Sequence, residues 1–396
     1  MAMLKSPSIV CVMPDKLGGA LNIIEGVFRH RRPDAFTWGV VLTHNPLQRD
    51  TRFGGSFNAD HQAHFEFRTP VENLHAVLRR LEAVIPAGDG VLLVNDLLEL
   101  ALASATDCGR TVIQMLHGDS DYYYDLAARH EDAVDAFVTY APTVDRKLRE
   151  RLPHRTGDMY LLPYGLAEPP RRRASAAGPL RLIFAGRLSQ EKGVSDLPLI
   201  DRALEERGVD VSWTVVGAGP EEQALRAAWN SRRVTFLGAK TTSEVLDIES
   251  RHDVFVLPTR TEGMPVALLE AMSVGLASVV SDIEPVAAVV IDGTTGLMPP
   301  LGNIDAFADA IAALNADRAR VESIGAAASQ YVLTHHNLRE RTDAYQALFA
   351  RYRELKRPRP ASVAVPYGSR LDQPWLPNFA VRAVRTAIRR AKGKPA

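Results

Sequence analysis

Cysteine is scarce: the 396 residues hold two, Cys11 and Cys108. So low a count excludes a disulfide-built scaffold and fits a reducing compartment, where a thiol inside an apolar run such as Ile9–Met13 packs as a small hydrophobe. Long hydrophobic runs are missing too. No stretch approaches the roughly 20 apolar residues of a membrane-spanning helix. The short apolar run before Pro14 is too brief for a signal peptide. The expectation is a cytoplasmic chain, with attachment to a membrane surface left open. Net charge is absent, since Lys+Arg and Asp+Glu both count 47, which argues against nucleic-acid binding by the chain as a whole. The Gly-x-Gly-x-x-Gly dinucleotide fingerprint is also lacking after the first apolar run.

What the chain does contain is apolar runs of strand length separated by helical patterns, the signature of a parallel sheet covered on both faces. Strands are expected at Ser8–Met13, Trp38–Leu42, His64–Arg68, Gly90–Asn95, Thr111–Leu116, Asp135–Tyr140 and Met159–Leu162. After a Pro- and Arg-rich linker, residues 167–179, the alternation restarts. Its strands fall at Leu180–Ala185, Ser212–Val216, Arg233–Leu237, Val254–Leu257 and Ala277–Ser281. The fold class is therefore α/β, with two Rossmann-like doubly wound domains, residues 1–166 and 180–337. A helix over 338–356 and a basic tail over 357–396 follow. Clefts between such domains are favoured ligand sites.

The densest chemistry follows the Val254–Leu257 run. Pro265 is expected in the first turn of a helix, where its fixed φ and missing amide proton cost nothing. The free amides of that helix end form an anion site, and Gly263 allows close approach of the backbone. Glu262 stands at the helix mouth and Glu270 about a turn and a half inside. Two carboxylates flanking a phosphate cradle make sense as acceptors for hydroxyls, which together suggests a nucleotide sugar.

Arg187 and Lys192 lie five apart in a loop held by Gly186 and Gly193, directly after the Leu180–Ala185 strand. Arginine offers a fork for phosphate and lysine a mobile point charge. Each could supply up to about 4 kcal/mol near a leaving diphosphate; a solvated surface loop is the bland reading of the same residues. Gly217-x-Gly219 reads equally as a pocket wall or a turn, and so does Gly18-Gly19 in the first half. His117-Gly118 leaves the C-terminal end of Thr111–Leu116, the edge where open α/β sheets bind ligands. Asp119-x-Asp121 matches a metal-holding pattern, but aspartates also open helices and Tyr122–His130 reads as one. His61-x-x-His64 reads as a surface pair. The polar, Gly-rich stretch Asn45–Asp60 has the size of a functional loop, and the expectation is an acceptor-side one.

In order along the chain stand Gly186-Arg187-Leu188-x-x-Glu191-Lys192-Gly193, Gly217-x-Gly219-Pro220, Val234-x-Phe236-x-Gly238, Glu262-Gly263-Met264-Pro265 through Glu270-Ala271-Met272, and Asp292-Gly293-x-x-Gly296-Leu297. Together they resemble the family 4 retaining glycosyltransferases of GT-B fold, glycosyl transferases group 1. The resemblance is specific over about residues 180–315. In the first half it rests on Gly18-Gly19, His117-Gly118 and Pro163-x-Gly165. It implies that Arg187 and Lys192 bind the donor diphosphate and that Glu262 contacts the donor sugar. Gly263, Met264 and Pro265 would give backbone amides to sugar and phosphate, Glu270 would hold the ribose, and His117 would stand near the anomeric carbon. Gly18 and Gly19 would approach the phosphates or acceptor, and Gly217 and Leu237 would line the donor pocket. Reaction would proceed with retention, by front-face displacement, with no metal and no cofactor, and the last helix would cross back to the first domain. Two positions depart from the pattern. Asp282–Val289 replaces a Gly-rich turn and a glutamate, and Tyr164 replaces an asparagine.

The partners this implies are a nucleotide-sugar donor and a carbohydrate or lipid-linked acceptor. Residues 357–396 carry seven arginines and two lysines against Asp372 alone. Phe379–Arg390 can form a basic amphipathic helix, which reads as binding an anionic inner membrane surface, or it can stay a disordered basic tail. Two other functions are carried alongside: a GT-B-fold epimerase or phosphorylase, and a catalytically silent nucleotide-sugar-binding protein.

Overall fold

Buried apolar runs set the strands, because a parallel strand covered on both faces has no polar side to alternate. In the computed structural model, which describes residues 6–16, 19–48, 52–166, 169, 178–360 and 368–392, these runs build two units. One is Met1–Pro163 with Arg339–Ala396, and the other is Tyr164–Leu338.

The first unit opens with β1 (Ser8–Pro14), α1 (Gly19–His30), β2 (Thr37–His44), β3 (His61–Glu66), α2 (Leu74–Val84) and β4 (Gly90–Val94). It continues with α3 (Leu97–Ala105), β5 (Thr111–Met115), α4 (Asp121–His130), β6 (Ala136–Thr139), α5 (Pro142–Arg151) and β7 (Met159–Leu161). The seven strands run parallel in the order β3-β2-β1-β4-β5-β6-β7. Strand order reverses at β1 and β4, so the residues just past their C-terminal ends, Asp15 and Asn95, lie at the switch point where such sheets bind ligands.

β3 corrects the expected His64–Arg68. It begins three residues earlier, pairing Gly39 with His61 and His44 with Glu66. Phe65 is its one buried residue, too weak a pattern to fix the boundary. His61 and His64 both fall within it, and a spacing of three on a strand puts them on opposite faces.

The second unit contains β8 (Leu180–Ala185), α6 (Leu197–Glu206), β9 (Val211–Val216), α7 (Glu222–Ala228), β10 (Val234–Gly238) and α8 (Thr242–Glu249). Then come β11 (Val254–Leu257), α9 (Val266–Val274), β12 (Ala277–Val280), α10 (Glu284–Ala287), α11 (Ile304–Ala316) and α12 (Arg318–His335). Its parallel sheet runs β10-β9-β8-β11-β12, with the switch point between β8 and β11. Local sequence sets the helix ends. Thr241 and Glu244 cap α8 reciprocally, and Gly275, at φ 95°, stops α9.

The chain then returns to the first unit through α13 (Leu338–Ala350), α14 (Tyr352–Leu355) and α15 (Asn378–Ala391). Tyr345, Phe349 and Tyr352 join Trp38 and Phe28 in its core. α15 is docked rather than free. The backbone N–H of Asn73, at the start of α2, donates to Asn378 at 2.9 Å, and Asp372 accepts from Leu74 N–H at 2.8 Å and from Arg385 at 2.6 Å. Val381 is buried, while Trp375 and Phe379 stay 74% and 78% exposed. No helix among the described residues is long and apolar enough to cross a membrane.

Candidate functional site

The loop leaving β8 cannot form without glycine opposite it. Gly217, at φ 134°, passes so close that a Cβ there would lie 1.8 Å from the Gly186 carbonyl oxygen. Leu188 N–H donates to Ala218 and Glu221 N–H to Leu188, both at 3.0 Å, so the two loops interlock. Gly193 does the same on the other side. Its φ is 65°, and a Cβ would sit 1.8 Å from the Pro258 carbonyl. Arg260 N–H donates to Glu191 at 2.7 Å, and Thr259 Oγ1 donates to the same carbonyl at 3.0 Å. The Gly186–Gly193 loop is therefore stitched to both neighbouring strand ends, with Arg187 on one flank and Lys192 on the other.

A pocket of about 220 Å³ opens there, lined among others by Gly186, Arg187, Gly217, Lys240, Ala267 and Glu270. Glu270 projects from the second turn of α9. Burial pushes its carboxyl up to about 7, with no neighbouring cation or hydrogen bond opposing the rise. An acid held in this way gains from any hydroxyl that hydrogen-bonds to its ionised form.

Lys192 and Glu262 face each other across the stitched loops. Lys192 Nζ lies 2.6 Å from both Glu262 oxygens, with the glutamate side chain 3% exposed and the lysine 27%. Pro265 corrects its expected place. It is the residue capping α9, at φ −79° and ψ 69°, and not a first-turn residue. Its carbonyl still starts the helix ladder by accepting from Leu269 N–H at 3.0 Å, so the α9 amides begin at Val266. Gly263 and Met264 complete the turn between Glu262 and that helix. Leu237 lies where the β10 register shifts, between Phe236 and Gly238, and is itself exposed. Ala239 and Lys240, just beyond, line the pocket in its place.

The other singled-out residues lie in the first unit. His117 Nε2 is 2.6 Å from Asn95 Oδ1, while Asn95 Nδ2 donates to the Val12 carbonyl at 2.8 Å. The Asn95 oxygen is thus the acceptor, and His117 carries its proton on Nε2. Burial drives the imidazole down to about 4, so it is neutral at ordinary pH. Gly19 is the first residue of α1, and Gly18 lies outside the described residues. Asp119 accepts from Lys147 at 2.8 Å and from Tyr124 at 2.7 Å, a structural use that accounts for it without a metal. Asp15, missed in the sequence, holds the Asn45–Asp60 loop by accepting from Arg52 at 2.8 Å and Phe53 N–H at 3.1 Å. Its only sequence signal is its place directly after β1. A larger open depression of about 570 Å³ beside Arg29, Arg32 and Asp343 lacks any glycine-lined loop, and Arg32 is paired to Asp343 at 2.5 Å.

Residues 179–317, which carry the pocket, match the family Glycosyl transferases group 1. That match lies within the second unit, Tyr164–Leu338. Among curated relatives, the amylovoran biosynthesis glycosyltransferase AmsK of Erwinia amylovora is 31% identical over 169 residues, 40% of this chain and 42% of that protein. The putative colanic acid biosynthesis glycosyltransferase WcaL of Escherichia coli is 33% identical over 156 residues, 37% of this chain and 38% of that protein. The chain thus spans about two fifths of the length of the curated relatives it matches. Both units are covered by likeness of structure. Anabaena Alr3699/HepE, solved with UDP and glucose, superposes with a TM-score of 0.69 at 15% identity, over 87% of this chain and 99% of that one. The fold is GT-B.

Proposed function

We propose that this glycosyl transferases group 1 chain is a retaining, family 4-type glycosyltransferase. It moves a sugar from a nucleotide-sugar donor to a carbohydrate or lipid-linked acceptor in cell-surface polysaccharide or glycolipid synthesis. One observation carries the reading. The glycine-lined pocket sets Arg187 and the unopposed Glu270 at the switch point of the sheet, beside loops that bring Lys192 onto Glu262. Arg187 and Lys192 are assigned to the donor diphosphate, Glu262 to the sugar, Glu270 to the ribose, and the α9 amides after Gly263–Pro265 to phosphate and sugar. Gly217 walls the pocket. The first unit, with His117 and Gly19, is assigned the acceptor side.

In the reaction, the acceptor oxygen attacks the anomeric carbon from the face the leaving group departs. The bond from carbon to diphosphate oxygen breaks with its electron pair on that oxygen, which takes the acceptor's proton. Lys192 and Arg187 stabilise the developing charge, where a pre-placed cation acts most strongly. Lys192 is free to do so once donor sugar hydroxyls replace it on Glu262.

The same proposal places the enzyme peripherally on an anionic inner membrane surface. Its support is the docked α15, which leaves Phe379, Val384 and Ile388 exposed along with Arg382 and Arg390, and the exposed Trp375 just before it. Donor turnover with the Glu262→Ala and Lys192→Ala variants tests the assignment. Loss in both is expected, and full activity in both overturns it.

A further inference from the structure

Tyr122, Tyr123 and Tyr124 are consecutive, and the donor site uses none of them. They fall in the first turn of α4, where successive residues turn by about 100° and so face different directions. Tyr124 has a structural use: it is buried, and its hydroxyl donates to Asp119 at 2.7 Å. Tyr123 packs on the backbone beside His117, since a Cβ added at Gly118 would lie 2.2 Å from its ring. Tyr122 turns outward and is 48% exposed, yet it is held at both ends. Its ring meets Tyr123 edge to face, with centroids 5.2 Å apart and planes at 76°, and its hydroxyl donates to Asp96 Oδ1.

Asp96 caps α3, and Leu97 N–H donates to the same Oδ1 at 2.7 Å. Both bonds fall on one oxygen, so Asp96 Oδ2 has no hydrogen-bond partner among the described residues. Asp96 directly follows Asn95, the switch-point residue that His117 contacts at 2.6 Å. Leu97 is itself 40% exposed, and α3 packs on α4. A single exposed Leu or Tyr asks for no explanation. Here a fixed aromatic ring, an apolar side chain and an unused carboxylate oxygen share the edge at which open α/β sheets bind ligands.

A pyranose ring matches this set. Its axial C–H groups make one face apolar and slightly positive, which suits the negative face of an aromatic ring. Its hydroxyls donate sideways, which suits a carboxylate at the ring's rim. Tyrosine offers contact area at low conformational-entropy cost, and at less still when the ring is already held. A hydrocarbon chain would desolvate the Asp96 oxygen without bonding it, and an anionic group would be repelled by it.

We propose that Tyr122 and Asp96 form a subsite for a pyranose ring of the acceptor, the ring stacking on Tyr122 and a hydroxyl donating to Asp96 Oδ2. This rests on the assignment of the acceptor to the first unit. It narrows that acceptor from a carbohydrate or lipid-linked group to one that presents a neutral sugar ring.

Saturation-transfer NMR of the intact chain tests it, with methyl α-glucopyranoside, methyl α-galactopyranoside, methyl α-mannopyranoside and lactose as probes. Decyl phosphate is the apolar, anionic comparison. With wild type, at least one of the sugars should receive saturation, strongest on the ring C–H protons of one face. Tyr122→Ala should weaken that binding about tenfold, while Tyr122→Phe, which keeps the ring, stays within about threefold of wild type. Asp96→Asn keeps an oxygen to cap α3 but loses the charge, so sugar binding should fall about fivefold at an unchanged melting temperature. Unchanged sugar binding in both Tyr122→Ala and Asp96→Asn, no sugar bound by wild type, or decyl phosphate bound in their place overturns the subsite. Titration of the same proteins with UDP, GDP and ADP is read separately, and the affinity should be equal in all of them. Absence of nucleotide binding by wild type would defeat the donor-site reading, while the sugar titrations would still decide the subsite.

Discussion

Lys192 Nζ lies 2.6 Å from both carboxylate oxygens of Glu262, two residues seventy apart in sequence. In the proposed function each is assigned to a different part of the donor, so on that proposal the donor has to open the pair, with sugar hydroxyls on the carboxylate and the diphosphate on the ammonium.

Truncating one partner strands the other. Lys192→Ala leaves Glu262 buried and unpaired, and about 3 kcal/mol of stability should be lost, the usual cost of breaking a largely buried pair from one side. Denaturant unfolding of Lys192→Ala, Glu262→Ala and the double variant checks this. The double variant should be less destabilised than the sum of the singles.

On the proposed ribose contact, Glu270 should make donor binding pH-dependent. Its carboxyl titrates at about 7 in the folded, donor-free protein, against 4.5 ordinarily. Protonation competes with the ribose hydroxyls, so nucleotide affinity should fall as pH drops below about 7, by at most tenfold per unit, and level off above. Stability runs the opposite way. The folded state holds this proton more tightly, so its contribution is full below 4.5 and is lost as pH rises towards 7. Glu270→Gln should therefore match wild type near pH 4.5 and be the more stable at pH 8, measured by thermal unfolding. It should bind nucleotide weakly at every pH.

Gly193→Ala meets two obstacles at once, a φ of 65° and a Cβ 1.8 Å from the Pro258 carbonyl. The loop must move, at a cost of about 3 kcal/mol. Because Lys192 adjoins it, donor turnover should fall more than the stability loss explains. Activity measured well below the variant's melting temperature separates the two effects.

Trp375→Ser with Phe379→Ser removes the largest exposed apolar side chains of the tail. Sedimentation with anionic vesicles should drop at least tenfold with the fold intact, and neutral vesicles should bind poorly in all cases. Wild-type levels on anionic vesicles would remove the membrane surface from the account. Point variants serve better than deleting residues 357–396. Arg357 N–H donates to Asp135 at 2.8 Å and Arg359 to the Ala103 carbonyl at 3.2 Å, so the tail's first residues belong to the first unit's packing.

Most of the fold is legible in the sequence because its strands are buried on both faces. Val254–Leu257 reads as an unbroken apolar run and Leu180–Ala185 as one interrupted only by Arg181, and both have those bounds in the structure. The edge strands β3 and β10 are exceptions: Phe65 is the single buried side chain of β3 and sets no period, and β10 has no buried residue. The motifs point to Arg187, Gly217 and Glu270, and these three line one pocket because each sits at a strand end or helix start of the same sheet. What local pattern cannot carry is pairing at a distance. The Lys192–Glu262 contact spans 70 positions, and the bond from Asn73 to Asn378 that docks α15 spans 305.

The central claim is that the pocket between Arg187 and Glu270 binds the nucleotide of a sugar donor. Calorimetric titration of the intact chain with UDP-, GDP- and ADP-sugars, for wild type and Arg187→Ala, tests it most directly. The account predicts saturable binding of at least one of the three by wild type, weakened at least tenfold in Arg187→Ala at an unchanged melting temperature. Equal affinity in the two proteins, or no binding of any of the three by wild type, would contradict it.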